Sequence, residues 1–323
     1  MKAAVIHAAG SVPVYENFPD PVPQGDHEQL IRVTAASIKN LDKARASGTH
    51  YDKHKTFPAV VGVDGVGVLE NGTRVYASGY TGMMAEKALV TAGRYFPLPD
   101  NVDDATAAAL PNPGISAWFS LEYRGKVQPG ETVFILGATG VTGKQAIQLA
   151  KYFGAGKVIA AGRNQKVLES LYALGADEVI SLSQNDADLK KTLQYAHATT
   201  PFDVVIDYTW GHPAEILLEA LSGSDLHATG HRTRYVSVGE MAGPTIQLKS
   251  GILRSTPIEM YGVGGGSIPK EEIMRSMTVV LPKLFQLAAE GKLRIDTEVL
   301  PLADVTAAWE RGDSNGHRMV LVP

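Results

Sequence analysis

The run Val133-Phe134-Ile135-Leu136-Gly137-Ala138-Thr139-Gly140-Val141-Thr142-Gly143-Lys144-Gln145-Ala146-Ile147-Gln148-Leu149-Ala150 constrains this chain more than any other stretch. Its apolar opening, β-branched and aromatic, specifies a buried strand. Ala146, Ile147, Leu149 and Ala150 then fall at helical spacing. Between them the glycines follow Gly137-x-x-Gly140-x-x-Gly143. In a strand–turn–helix unit, glycine tightens the turn and lets backbone N–H groups approach a pyrophosphate. That anion then faces the positive end of the helix dipole. The pattern departs from G-x-G-x-x-G where Ala138 stands, so the turn alone leaves a ligand-free tight turn open.

The next strand adds to the signal. Lys157-Val158-Ile159-Ala160-Ala161 leads into Gly162-Arg163-Asn164. About 20 residues past such a turn, an Asp or Glu grips the ribose 2′-hydroxyl of NAD. Here Arg163 stands instead, with Lys166 close behind. Cations at this point suit the 2′-phosphate of NADP, so the expected cofactor is NADPH; solvated surface charges are the bland alternative.

Composition narrows the remaining classes. The 323 residues suffice for two domains, and 44% hydrophobic with 20% charged residues describes a globular protein. A net charge of −4 argues against nucleic acid as the partner. With no cysteine there is no disulfide, cysteine-ligated metal or thiol nucleophile. Met1–Ile6 reads as a short strand and not as a leader, and no apolar run reaches spanning length, so a cytoplasmic protein is expected.

Residues 1–100 read as short strands with Gly and Pro between them, at Ala3–His7, Gln29–Ala35, Val60–Leu69 and Arg74–Ala77. That density suggests a β-rich, partly closed barrel. Asp104–Leu110 is Ala-rich, Pro111-Asn112-Pro113-Gly114 is expected to break it, and Ile115–Tyr123 then reads as a helix. From Val133 strands and helices alternate through 133–137, 157–161, 178–182, 203–207 and 234–238, the rhythm of a doubly wound parallel sheet. Glu271–Gly291 reads as a long amphipathic helix.

At this point the chain resembles the zinc-independent medium-chain dehydrogenase/reductases, in their quinone oxidoreductase branch. The resemblance rests on an ordered series. It runs from Phe57-Pro58-Ala59-Val60-Val61-Gly62-Val63-Asp64-Gly65-Val66-Gly67-Val68 through Gly72-Thr73-Arg74-Val75-Tyr76 to Gly82-Met83-Met84-Ala85-Glu86. Ala109-Leu110-Pro111-Asn112-Pro113-Gly114-Ile115-Ser116-Ala117-Trp118, the glycine turn, Leu174-Gly175-Ala176-Asp177 and the strand ending at Asp207 complete it. It implies an α/β protein: a Rossmann domain at 123–267, inserted into a barrel-like (GroES-like) catalytic domain at 1–122 and 268–323. The active site would lie between the domains, and the family is commonly dimeric. Gly62-Val63-Asp64 replaces the Gly-His-Glu of the zinc branch, so no metal is expected. Lys39 aligns where many quinone reductases carry Asn, and Leu182 where a tyrosine often lines the adenosine phosphate site.

The candidate sites follow. Tyr51 would hydrogen-bond a substrate carbonyl, against an ordinary loop tyrosine. Lys39 would stabilise a developing enolate or touch the cofactor ribose, against a surface lysine. Cofactor contacts are expected from Asn40, from Gly137, Ala138, Thr139, Gly140, Val141 and Thr142, and from Gly162, Arg163, Asn164 and Lys166. Val238, Gly239, Glu240 and Met241, with Gly264 and Gly265, would line the nicotinamide half. His50 and His54 are spaced for a metal only if helical and lack a third ligand. Asp42 and Asp64 read as structural acceptors. The expected activity is NADPH-dependent reduction of a small quinone or enone. A same-fold enoyl-thioester reductase and an RNA-binding zeta-crystallin-like protein are the alternatives.

Overall fold

The computed structural model describes residues 1–50, 52–222, 230–313 and 315–323. They form two compact units, Asn112–Leu281 and Met1–Pro111 with Pro282–Pro323.

The first of these is built on a six-stranded parallel sheet. In chain order the strands of both units are β1 (Lys2–Ile6), β2 (Val14–Asn17), β3 (Glu28–Ser37), β4 (Ala59–Val60), β5 (Asp64–Leu69), β6 (Arg74–Gly79), β7 (Lys87–Pro97), β8 (Thr132–Leu136), β9 (Lys157–Gly162), β10 (Glu178–Ser181), β11 (Val204–Asp207), β12 (Thr233–Ser237), β13 (Ile258–Gly262), β14 (Thr297–Pro301) and β15 (Arg318–Val322). The parallel sheet runs β10-β9-β8-β11-β12-β13. Every residue of β8 and of β11 is buried, because helices cover both faces of a parallel sheet. Phe134 and Phe202 stack at 4.7 Å between ring centroids within that core. The chain winds outward from β8 to β10, then returns to the other side of β8 with β11. The order therefore reverses between β8 and β11, and in such sheets a ligand crevice opens beyond the strand ends at that point.

In the other unit, the ten residues of β3 serve three partners. Its first half pairs with β7, its middle with β5 and its end with β15, all antiparallel. β5, β6 and β7 follow in order, so β3 to β7 close on themselves as a small barrel. Gly65 and Gly67 permit the closure: a Cβ on either would stand 2.6 Å from Ala35 O or 2.7 Å from Arg32 O. A three-stranded sheet, β2-β1-β4, completes the unit, with Ile31, Val33, Met83, Met84, Trp309 and Leu321 in its core.

Two helix expectations change. Pro111 does not simply break a helix; it begins the next one, Pro111–Trp118. A first-turn residue needs no intrahelical N–H bond, so proline is tolerated there. That helix continues as a π-helical stretch, Phe119–Arg124, and the amphipathic stretch after Lys270 likewise contains a π segment, Ser276–Val280. Arg275 pairs with Glu122, and Arg124 donates to Ser267 O at 2.6 Å, which joins the Phe119–Arg124 stretch to the segment around Ser267–Arg275. No helix among the described residues is long and apolar enough to cross a membrane.

Candidate active site

The glycine turn leaves β8 with Gly137 at φ +87°, a left-handed conformation that favours glycine. Gly137 N and Ala138 N both donate to Ala161 O, at 3.0 and 2.9 Å, which locks the turn to β9. The other glycines answer to space. A Cβ on Gly143 would stand 2.5 Å from Gly137 O, and one on Gly162 2.4 Å from Thr139 Cγ2. At Gly140 a Cβ would meet nothing closer than 3.5 Å. Gly140 is also the N-cap of helix Val141–Tyr152 and, being glycine, brings no capping side chain of its own. The first-turn N–H groups of a helix have no intrahelical partners. A helix start behind an open glycine is therefore built to take an anion, and these residues fit a pyrophosphate.

Arg163 follows β9 directly and is exposed, as is Lys166. Asn164 caps the helix Gln165–Ser170, its side chain accepting from Val167 N at 3.3 Å. Ser183 Oγ donates to Arg163 O at 3.0 Å and Leu182 N to Gly162 O at 2.8 Å. Leu182 itself packs against the sheet core. Beyond β12, Val238 N and Gly239 N donate to Asp207 O at 2.8 and 3.2 Å. Glu240 and Met241 are exposed, as are Gly264 and Gly265 in the loop that Ser267 closes onto Gly264. The turn at Gly137, the Arg163 segment and the Val238–Met241 segment thus follow β8, β9 and β12 at the carboxyl ends of strands of one parallel sheet, with β11 between β8 and β12.

Sequence reasoning missed Asp207. Its side chain is fully buried and accepts from Thr209 N (2.7 Å), Thr209 Oγ1 (2.9 Å), Trp210 N (3.0 Å) and Tyr235 OH (2.7 Å). Burial pushes its carboxyl above the ordinary range, against the pull of these donors. The only trace in the sequence is a polar residue closing an apolar strand.

In the barrel unit, Lys39 precedes helix Asn40–Ser47 and is not a surface residue. Its side chain has no exposure. Lys39 Nζ donates to Ser37 O at 2.8 Å and lies 3.2 Å from Asp42 Oδ2 and 3.1 Å from Asp64 Oδ1. Asp42 also accepts from Lys39 N at 2.9 Å and from Val63 N at 2.8 Å. Arg318 donates to Ile38 O at 2.9 Å and pairs with Asp313 at 3.0 Å. Burial would pull the ammonium down, but Asp42 and Asp64 outweigh it and hold Lys39 above its usual value. Burial pushes Asp64 up, Lys39 notwithstanding, and raises Tyr76, which hydrogen-bonds Asp64.

This burial excludes the alternative of a surface lysine. An ammonium has three donors, and here Ser37 O takes one while the carboxylates of Asp42 and Asp64 lie within ion-pair distance. Of the two residues expected as structural acceptors, Asp42 accepts two backbone N–H groups and Asp64 pairs with the Lys39 ammonium. Asn40 is exposed at the start of the helix. Tyr51 lies outside the described residues. His50 Nδ1 accepts from Asp52 N at 3.1 Å, and burial with the nearby Arg45 charge lowers His54. Among the described residues no group of three or more His, Cys, Asp or Glu is placed to hold a metal ion.

Comparison with known proteins places this geometry. Residues 141–279 match the zinc-binding dehydrogenase family model. A protein of Emericella nidulans named "Probable NADPH-dependent quinone reductase tdiC" is 28% identical over all of both chains. "Quinone oxidoreductase-like protein 2" of Bos taurus is 28% identical over 90% of this chain and 82% of its own. The quinone oxidoreductase from Thermus thermophilus, solved alone and in complex with NADPH, superposes over 100% of both chains with a TM-score of 0.78 at 25% identity.

Proposed function

We propose that this chain belongs to the quinone oxidoreductase branch of the medium-chain dehydrogenase/reductase family and uses NADPH to reduce quinones. We extend the substrate class to α,β-unsaturated carbonyls and assign no metal to the reaction. The observation that carries the reading is the open helix start at Gly140 with Arg163 at the end of the neighbouring strand.

Gly137, Ala138, Thr139, Gly140, Val141 and Thr142 would hold the pyrophosphate with backbone N–H groups. Gly162, Arg163, Asn164 and Lys166 would hold the adenosine 2′-phosphate. Val238, Gly239, Glu240 and Met241, Gly264 and Gly265, and Asn40 would face the nicotinamide half. When bound, NADPH supplies the hydride. A quinone or enone is already electrophilic, whereas a plain carbonyl needs a Lewis acid to polarise it. Reduction leaves negative charge on the acceptor's carbonyl oxygen. Tyr51 would donate a hydrogen bond there, contributing roughly 3 kcal/mol, and then release the proton. Lys39, committed to Asp42 and Asp64, would act behind the surface by fixing the helix start that carries Asn40.

The same reading takes the protein as a cytoplasmic homodimer that acts on a small molecule and not on nucleic acid. Its test is turnover with NADPH on 1,4-quinones, enones and simple alcohols, before and after dialysis against a strong chelator. Quinone and enone reduction that survives chelation, with little alcohol oxidation, supports it. Activity lost on chelation and restored by zinc would overturn the metal-free assignment.

A further inference from the structure

Asp207 closes β11 and touches none of the loops assigned above with its side chain. Its hydrogen bonds nevertheless organise two of them. Oδ1 accepts from Thr209 N, Thr209 Oγ1 and Trp210 N, which folds the chain into a turn over Tyr208–Gly211. Trp210 there adopts φ +51°, ψ −157°, and Gly211 φ +58°. Non-glycine residues rarely occupy such a conformation, and it persists only where surrounding contacts impose it. Oδ2 accepts from Tyr235 OH at 2.7 Å, which ties the turn to β12.

The turn so formed has a neighbour on each side. A Cβ on Gly137 would lie 2.9 Å from Thr209 Cγ2 and 3.2 Å from Tyr208 Cβ, so the glycine turn rests directly on this segment. On the other side, Thr209 O accepts from Ala242 N at 2.7 Å, and a Cβ on Gly239 would stand 2.6 Å from Tyr208 O. The backbone of Asp207 itself receives Val238 N and Gly239 N. One buried carboxylate thus sets the spacing between the Gly137 turn and the Gly239–Ala242 segment.

We infer that Asp207 is a positioning residue for the cofactor, fixing the distance between the loop that takes the pyrophosphate and the loop that takes the nicotinamide half. The inference rests on the NADPH reading. It makes a distinction that a merely structural role would not. A ligand spanning both loops depends on their spacing, whereas one that stops at the adenosine 5′-phosphate takes the Gly137 turn with Gly162, Arg163 and Lys166 and does not reach the Gly239–Ala242 loop.

The experiment compares dissociation constants for NADPH and for adenosine 2′,5′-bisphosphate in wild type, Asp207→Ala, Asp207→Asn and Tyr235→Phe. Asp207→Ala is expected to weaken NADPH by about tenfold or more and the bisphosphate by less than about threefold. Asn retains the Oδ1 acceptor, and the Tyr235 hydroxyl can accept from its amide, so Asp207→Asn should restore NADPH binding to within about threefold of wild type. Should Asp207→Ala fail to fold, Tyr235→Phe decides, with an expected loss of about threefold or more for NADPH and none for the bisphosphate. Equal losses for both ligands, or no loss for either, would overturn the inference while leaving the cofactor reading intact. A wild type that binds neither ligand would overturn the cofactor reading and the inference with it.

Discussion

The ammonium of Lys39 lies 3.1 Å from the carboxylate of Asp64, and neither side chain has more than 9% of its surface exposed. A buried pair like this balances a large desolvation penalty against a strong attraction, and removing one partner leaves the other charge stranded. Lys39→Ala would leave Asp42 and Asp64 buried together without their cation. The expected loss of stability is about 3–5 kcal/mol, measured by denaturant unfolding. Combining Lys39→Met with Asp64→Leu should recover only part of it, because Asp42 stays buried without its cation. If Lys39→Ala costs under about 1 kcal/mol, the pair contributes little and Lys39 is free for another task. Activity lost in Lys39→Ala must therefore be corrected for the unfolded fraction before it is read as catalysis.

The raised carboxyl of Asp207 fixes a sign. A carboxyl whose folded value lies above its unfolded value is protonated in both states at low pH, where it carries no penalty. As pH rises through the ordinary carboxylate range the unfolded chain ionises first, so folded stability falls until the folded value is passed. Asp207→Asn removes this dependence. The melting temperature of Asp207→Asn relative to wild type should thus rise between about pH 3 and neutrality. A difference that falls over that interval would mean that the donors from Thr209, Trp210 and Tyr235 outweigh burial.

The glycines of the turn separate into structural and ligand-facing positions. Gly143→Ala forces a Cβ to within 2.5 Å of Gly137 O and should lower stability, by about 1–3 kcal/mol, with or without cofactor. Gly140→Ala meets only Gly137 O, at an ordinary contact distance of 3.5 Å, so its melting temperature should stay near wild type while NADPH affinity drops. Thermal melts with and without NADPH check both. Equal NADPH affinity in wild type and Gly140→Ala would remove the anion from this helix start.

Tyr51→Phe tests the hydrogen bond proposed to the acceptor oxygen. Loss of a bond that strengthens as charge develops lowers kcat, by about 10²-fold, with KM little changed. Full kcat on one good quinone would show that positioning alone carries the reaction.

The parallel sheet was legible because strands buried on both faces read as uninterrupted apolar runs, as Val133–Leu136 and Val204–Ile206 do. The turn was legible because its glycines answer to local sterics. Lys39 was not. Its burial depends on Asp64, Val63 and Arg318, which neither adjoin it in sequence nor show any periodicity with it. Asp207 announced only that a strand ends in a polar residue, since its donors lie in the following turn and on β12. Pro111 misled because proline both stops helices and starts them, and only the position of the next hydrogen-bonded turn decides between the two.

NADPH binding through the Gly140 helix start and Arg163 is what every other assignment depends on. The most direct test is the ratio of dissociation constants for NADH and NADPH in wild type and Arg163→Ala. A charge-assisted contact to phosphate contributes about 1.5–3 kcal/mol. Wild type should therefore prefer NADPH by roughly tenfold or more, and Arg163→Ala should lose most of that preference with NADH affinity unchanged. Equal affinities for the two cofactors in wild type, or a preference that survives Arg163→Ala together with Lys166→Ala, would contradict the account.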